Sequence, residues 1–190
     1  KIPLIYFEPL KFLTIDGNFN PKQSLQYLED VSIIGHHIMG QKNMYKIFIS
    51  AFVAEVASRV LQENEQVPIL FNFIWSTAIN LFKHKEIDSN FALKYLLKLS
   101  DILGFYPSKH KNNSFFDLKN GNFSKKFSSK KQMLNQEMSD YLKSLLMNQK
   151  KIIPKEKKSE LLKKLLHYYK LHYYNLDGIT SHLIIEELRL

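Results

Sequence analysis

Cysteine is absent from the chain, and that absence removes disulfides, thiolate zinc sites, iron–sulfur clusters and cysteine nucleophiles. Arginine is nearly absent. Of 27 basic residues only Arg59 and Arg189 carry a guanidinium, and the rest are Lys. Lys is a point charge without the planar fork that reads guanine edges, so a nucleic-acid partner would be held by its backbone rather than its base sequence. Glycine is sparse and scattered, six in 190 residues, which leaves no G-x-x-x-x-G-K or G-x-G-x-x-G phosphate loop. Long apolar runs are missing too. The longest, Val67 to Phe82, is interrupted by Asn72, Ser76, Thr77 and Asn80. It falls short of the roughly 20 residues a membrane-spanning helix needs.

Acidic residues are few and unclustered, so no general acid–base pair can be nominated. His36 and His37 are neighbours on a segment read as extended, where adjacent side chains point to opposite faces. His167 and His172 are five apart, not the four that aligns two ligands on a helix, and they read as surface imidazoles. The sequence therefore points away from an enzyme, a metal site or a bound cofactor.

What is present is charge, unevenly placed. The chain has a net charge of +9 with 45% apolar residues, ordinary for a folded protein. Residues 1–104 hold ten Lys/Arg and ten Asp/Glu, whereas residues 105–190 hold seventeen and eight. One run contains Lys109, Lys111, Lys119, Lys125, Lys126, Lys130 and Lys131 against Asp117 alone. The other contains Lys150, Lys151, Lys155, Lys157, Lys158, Lys163, Lys164 and Lys170 against Glu156 and Glu160. Compositional drift explains Lys in place of Arg but not the imbalance between halves. Such asymmetry favours a polyanionic partner.

Residues 4–15 and 25–34 read as strands, with Pro9 at an edge or bulge and Asp16-Gly17-Asn18 as a turn. The chain does not begin with Met and enters directly into strand-like sequence, so residues are expected to precede it. From Tyr45 the apolar period turns helical through Ile47, Phe48, Phe52, Val56 and Val60. Pro68 opens a second helix to about Lys85. A third runs from about Ser89 to Leu103 and stops at Gly104. Phe115 to Phe123 reads as a small hairpin around Asn120-Gly121, a mobile excursion among Ser, Asn and Lys. A fourth helix covers about Lys130 to Asn148, with Leu134, Met138, Leu142, Leu145 and Leu146 inward. Pro154 starts a fifth, ending near Asn175, and Thr180 or Ser181 caps a last helix to about Leu188. On the fifth, Leu161, Leu162, Leu165, Leu166, Tyr169 and Tyr173 form an apolar side. Lys163, His167, Lys170 and Tyr174 share the other, a basic ridge whose terminal Tyr suits a phosphate track with one stacking base.

Four segments carry a family resemblance. They are Lys1-Ile2-Pro3-Leu4-Ile5-Tyr6-Phe7-Glu8-Pro9-Leu10-Lys11-Phe12-Leu13-Thr14-Ile15, residues 25–37 with Val31-Ser32-Ile33-Ile34-Gly35-His36, the stretch Leu99-Ser100-Asp101-Ile102-Leu103-Gly104-Phe105-Tyr106-Pro107, and Leu166 to Leu188 with Tyr168, Tyr169, Lys170, His172, Gly178 and Ser181. In order and spacing they resemble the RecO family of bacterial recombination mediators. The resemblance implies a mainly α fold: 1–38 as the closing strands of an incomplete OB-fold, and 39–190 as a helical bundle with a hairpin insertion at about 105–129. It implies a cytoplasmic, nucleoid-associated monomer that binds single- and double-stranded DNA and anneals strands. It also implies docking of the tail of single-stranded-DNA-binding protein (SSB), and help in loading RecA together with RecR. Many members carry a four-Cys zinc module after the segment matching Leu103–Pro107. Here Lys109 to Lys131 takes that place, so no zinc is expected, and a module held by packing or not ordered. Thr180 and His182 stand where basic residues are common. The expected anion surface is Lys125, Lys126, Lys130, Lys131, Lys150, Lys151, Lys163 and Lys170, with Arg59 at the rim of a peptide groove. The competing reading is a helical adaptor whose lysines bind acidic protein segments and no DNA.

Overall fold

The computed structural model describes residues 2–35, 44–61, 67–108, 114–129 and 131–182. The His36-His37 pair, Lys130 and all but the first residues of the last helix lie outside them. Among the described residues the fold is mainly α, with five α-helices and two two-stranded antiparallel sheets.

The expected first strand divides. Leu4–Phe7 forms a short 3-10 turn and β1 begins only at Leu13, running to Asn18. Pro9 has no N–H to give a ladder, and Leu10 sits in the left-handed region at φ 59°, so the chain turns before it extends. β1 pairs with β2 (Tyr27–Ile33). Gly17 is not in the turn. It lies opposite a bulge in β2, where the register steps from Asp16–Asp30 to Gly17–Leu28 past Glu29, and a Cβ on it would stand 2.8 Å from the Tyr27 carbonyl oxygen. The reversal falls later, at residues 19–26, where the Gln26 side chain bonds the Asn20 backbone at both N–H and C=O. Among the described residues the ribbon is a two-stranded antiparallel hairpin. Its base is fixed by Phe12, which meets Trp75 and Phe82 edge to face at 4.5 and 6.4 Å between centroids.

The helical body follows the apolar period. α1 (Met44–Val60) buries Ile49, Phe52, Val53, Val56 and Val60, while Ile47 faces solvent. α2 (Pro68–Lys83) starts on its proline. α3 (Phe91–Ile102) ends at Gly104 with φ 85°, the left-handed C′ residue a helix stop favours. The deepest seam lies between α3 and α5 (Lys155–Leu171). There Leu96 and Leu99 meet the Leu161, Leu165 and Tyr169 side of α5, all fully buried or nearly so.

The insertion between α3 and α4 is not a mobile excursion in its described part. β3 (Phe115–Asp117) pairs with β4 (Asn122–Ser124), and Gly121 makes the turn at φ 65°. Phe116, Leu118 and Phe123 are buried in the main core. Residues 131–135 lie alongside this hairpin, with Leu118 N–H donating to Gln132 O and Leu134 N–H to Phe116 O at 2.8 Å. That pairing is why α4 starts six residues later than its apolar period suggests. It runs Gln136–Leu146, capped by Asn135, whose side chain accepts from Met138 N–H.

Candidate nucleic-acid interface

α5 and the β3–β4 hairpin together position most of the lysines. Ser139 of α4 accepts from Phe116 N–H at 2.9 Å, and the Tyr168 hydroxyl of α5 donates to Phe105 O, closing the base of the insertion. Phe116 rests edge-on against Tyr168 at 5.6 Å, and His172 Nε2 lies 3.3 Å from Leu118 O. Burial raises the Tyr168 and Tyr169 phenols above their ordinary value, so both stay neutral donors; Tyr169 donates to Leu96 O at 2.6 Å. The apolar packing that holds these aromatics also fixes the outer face of the hairpin.

Lys125 and Lys126 are exposed on the loop after β4, and Lys131 is exposed just before α4. The loop turns back through Phe127, which packs on Phe115 at 5.2 Å, and through Ser128, whose hydroxyl reaches Met133 Sδ at 3.1 Å. A groove of about 500 Å³ opens here, walled by Phe115, Phe127, Met133 and Met138 and closed on the α5 side by Glu160 and Lys164. The loop that carries Lys125 and Lys126 and the middle of α5 therefore border one depression, through Phe127 on one side and Glu160 and Lys164 on the other. Lys163 and Lys170 are exposed on α5, and Lys170 pairs with Asp177.

Lys150 and Lys151 are exposed in the loop before α5. α5 has 17 residues and so is about 25 Å long, and Lys170 lies at its other end. Lys151 lies over the Tyr141 ring at 4.8 Å and shares a shallow depression with Glu137 and Asp140. Of the eight positions expected from the sequence, Lys125, Lys126 and Lys131 thus flank the hairpin, Lys163 and Lys170 lie on α5, Lys150 and Lys151 lie in the loop before it with Lys151 beside Glu137 and Asp140, and Lys130 lies outside the described residues. The bridges of Lys143 to Asp140, Lys157 to Glu137 and Glu160, and Lys170 to Asp177 all close within residues 105–190. That of Lys94 to Asp88 closes within 1–104. Across the divide Asp88 acts on Lys158, whose ammonium is lowered by burial despite that carboxylate.

Arg59 stands on the last turn of α1, exposed, with Nη2 3.3 Å from where a Cβ of Gly178 would be. Its surroundings were not foreseen. One turn earlier Glu55 accepts from the backbone and hydroxyl groups of both Thr180 and Ser181, at 3.0 Å from Ser181 N–H and 3.2 Å from Thr180 N–H. Partial burial would raise this carboxyl, but these hydrogen bonds outweigh it and hold it below its ordinary value. The start of the last helix is thus already met by an internal carboxylate. Thr180 and Ser181 were expected as caps of the last helix, most of which lies outside the described residues; the hydrogen bonds described for them go to Glu55, 125 residues from Thr180.

The end of α5 departs from its apolar period. The helix stops at Leu171, not near Asn175, and Tyr173 takes φ 72°. The two last tyrosines exchange roles. Tyr174, placed by the period on the polar ridge, stacks on Phe105 at 5.5 Å, and Tyr173, placed on the apolar side, is 99% exposed. His172 is likewise no surface imidazole, since it stacks on Phe105 at 5.0 Å with 7° between planes.

A family model described as "Recombination protein O C terminal" matches residues 41–177. The chain is 25% identical over 190 residues to the DNA repair protein RecO of Azobacteroides pseudotrichonymphae, covering 96% of this chain and 79% of that protein. It is 29% identical over 183 residues to the RecO of Flavobacterium johnsoniae, covering 94% and 75%. With the RecO of Flavobacterium psychrophilum the identity is 26% over 191 residues, covering 98% and 78%. No solved structure matches the chain. The matched span runs from the start of α1 past the end of α5 and takes in the inserted hairpin, and the chain belongs to the family of recombination protein O C-terminal domains.

Proposed function

We propose that the chain acts in DNA repair and recombination as a non-catalytic mediator that grips the DNA backbone through lysines. The observation that carries this reading is the charge left over in residues 105–190. The bridges of Lys143, Lys157 and Lys170 are made with carboxylates of the same stretch, while Lys125, Lys126 and Lys131 stand exposed on a hairpin fixed by apolar packing. The relatives named RecO support the repair role. Ammonium groups on a firm platform neutralise phosphates without reading bases. Annealing follows from the same charge, since lysines screen the repulsion between two complementary strands. Docking of the SSB tail, assembly with RecR, help in loading RecA and the OB-type character of the β1–β2 ribbon are parts of the same proposal, and membership of the family is what supports them.

The test is a salt titration of binding to a labelled single-stranded oligonucleotide. Log affinity should fall linearly with log salt, and each lysine engaged should contribute about 0.7 to the slope. Reversing Lys125, Lys126 and Lys131 to Glu together should weaken binding at low salt by at least about tenfold. Binding that is absent at low salt would instead support an adaptor for acidic protein segments.

A further inference from the structure

We infer that Tyr173 is a stacking platform for one unpaired nucleobase, set at the C-terminal end of α5 beside the lysines of the proposed interface. The inference rests on the nucleic-acid reading above and names an aromatic contact within it.

Three helices of this fold end in the same hydrogen-bonded turn. In α3, Gly104 N–H donates to Asp101 O and Phe105 N–H to Ser100 O; in α4, Asn148 to Leu145 and Gln149 to Ser144; in α5, Tyr173 to Lys170 and Tyr174 to Tyr169. Each turn needs a left-handed residue at its corner, with φ 85°, 51° and 72° respectively. Gly and Asn are the residues that tolerate this conformation. Tyrosine carries the full Cβ penalty. A strained residue is ordinarily compensated by packing, yet the Tyr173 ring is 99% exposed and recovers nothing from burial. Its neighbour Tyr174 meets the packing need of this corner by stacking on Phe105. The Tyr173 ring is left as an aromatic plane facing solvent.

The surroundings favour a polyanion. Lys163, His167 and Lys170 succeed one another at one-turn spacing on α5, all exposed. Lys119 is exposed on the hairpin turn, directly after Leu118, whose carbonyl meets His172. Among the described residues the carboxylates near this end include Asp177, paired with Lys170, Asp117, which accepts the backbone N–H groups of Lys119 and Asn120, and Asp101, exposed in the α3 turn before Phe105. The Lys170–Asp177 pair is half-exposed, the kind of bridge a phosphate displaces readily. Exposed cations on α5 and on the hairpin turn, at the end of α5 that carries a solvated ring, suit a single strand whose backbone is tracked while one base stacks.

The experiment compares the full chain with Tyr173→Gly, Tyr173→Asn and Tyr173→Phe on a labelled single-stranded oligonucleotide and on a duplex of equal length. Gly and Asn suit the turn, so both variants should melt higher than the parent. They should nonetheless bind the single strand about five- to tenfold or more weakly. Duplex affinity should hold within about twofold, and the salt slope should not change, because no phosphate contact is removed. Tyr173→Phe should bind as the parent does. Single-strand affinity equal to the parent's in the Gly and Asn variants would overturn the inference. So would an equal loss on both substrates with a shallower salt slope. Failure of the parent itself to bind at low salt would remove the nucleic-acid reading first, and this one with it.

Discussion

At the end of α1 a single carboxylate holds the far end of the chain. Glu55 receives four hydrogen bonds from Thr180 and Ser181, and its pKa lies below the ordinary value because those bonds outweigh partial burial. A depressed carboxyl adds stability that is complete above its unfolded pKa and is lost as pH falls through its folded pKa. Glu55→Ala should therefore lower stability by about 1 kcal/mol at neutral pH, a figure discounted for solvent exposure. Denaturant titrations should show the gap to the parent closing in acid. Two glycines give a second comparison at this scale. Gly104 and Gly121 are both left-handed, but a Cβ on Gly104 meets nothing within 4 Å, whereas one on Gly121 lies 2.9 Å from the Tyr168 hydroxyl. Gly104→Ala should cost about 1 kcal/mol. Gly121→Ala should cost clearly more in the same unfolding measurement, since that hydroxyl is itself tied to Phe105 O.

Among the elements, the inserted hairpin depends most on its partners. Phe116 and Leu118 are fully buried between α4 and α5, so Phe116→Ala should destabilise by about 3–5 kcal/mol. Amide exchange across residues 115–124 should then rise before that of α3. The helices were legible because their apolar period is strong, Pro68 and Pro154 mark two starts and Gly104 marks a stop. Misreadings gather where one residue type serves two geometries. Gly17 signals a turn or a close approach of two backbones equally well, and the choice is made by the near carbonyl of Tyr27, a partner the local sequence does not reveal. Asn135 had the right chemistry for a cap, yet the apolar period running through Leu134 hid it. The helical period of α5 continues smoothly into Tyr173, and nothing in that residue type signals the left-handed turn. The lysines were visible as a list. Which of them stand beside carboxylates was not, because it depends on how α4 packs against the loop before α5.

Over the whole molecule the front half is neutral and the back half carries the net charge of +9. Lys150 and Lys151 should matter less to nucleic-acid binding than the hairpin lysines, because Glu137 and Asp140 share the depression that Lys151 lines. Reversing Lys150 and Lys151 to Glu should change single-strand affinity less than reversing Lys125 and Lys126, in paired titrations at one ionic strength.

The contact between Glu55 and Thr180 joins residues 125 apart. During synthesis α1 emerges long before its closing partner exists. At ordinary elongation rates that interval is roughly 6–25 s. For that time α1 waits without its final clasp, and a ribosome stalled short of residue 180 would leave a body that is packed but not latched.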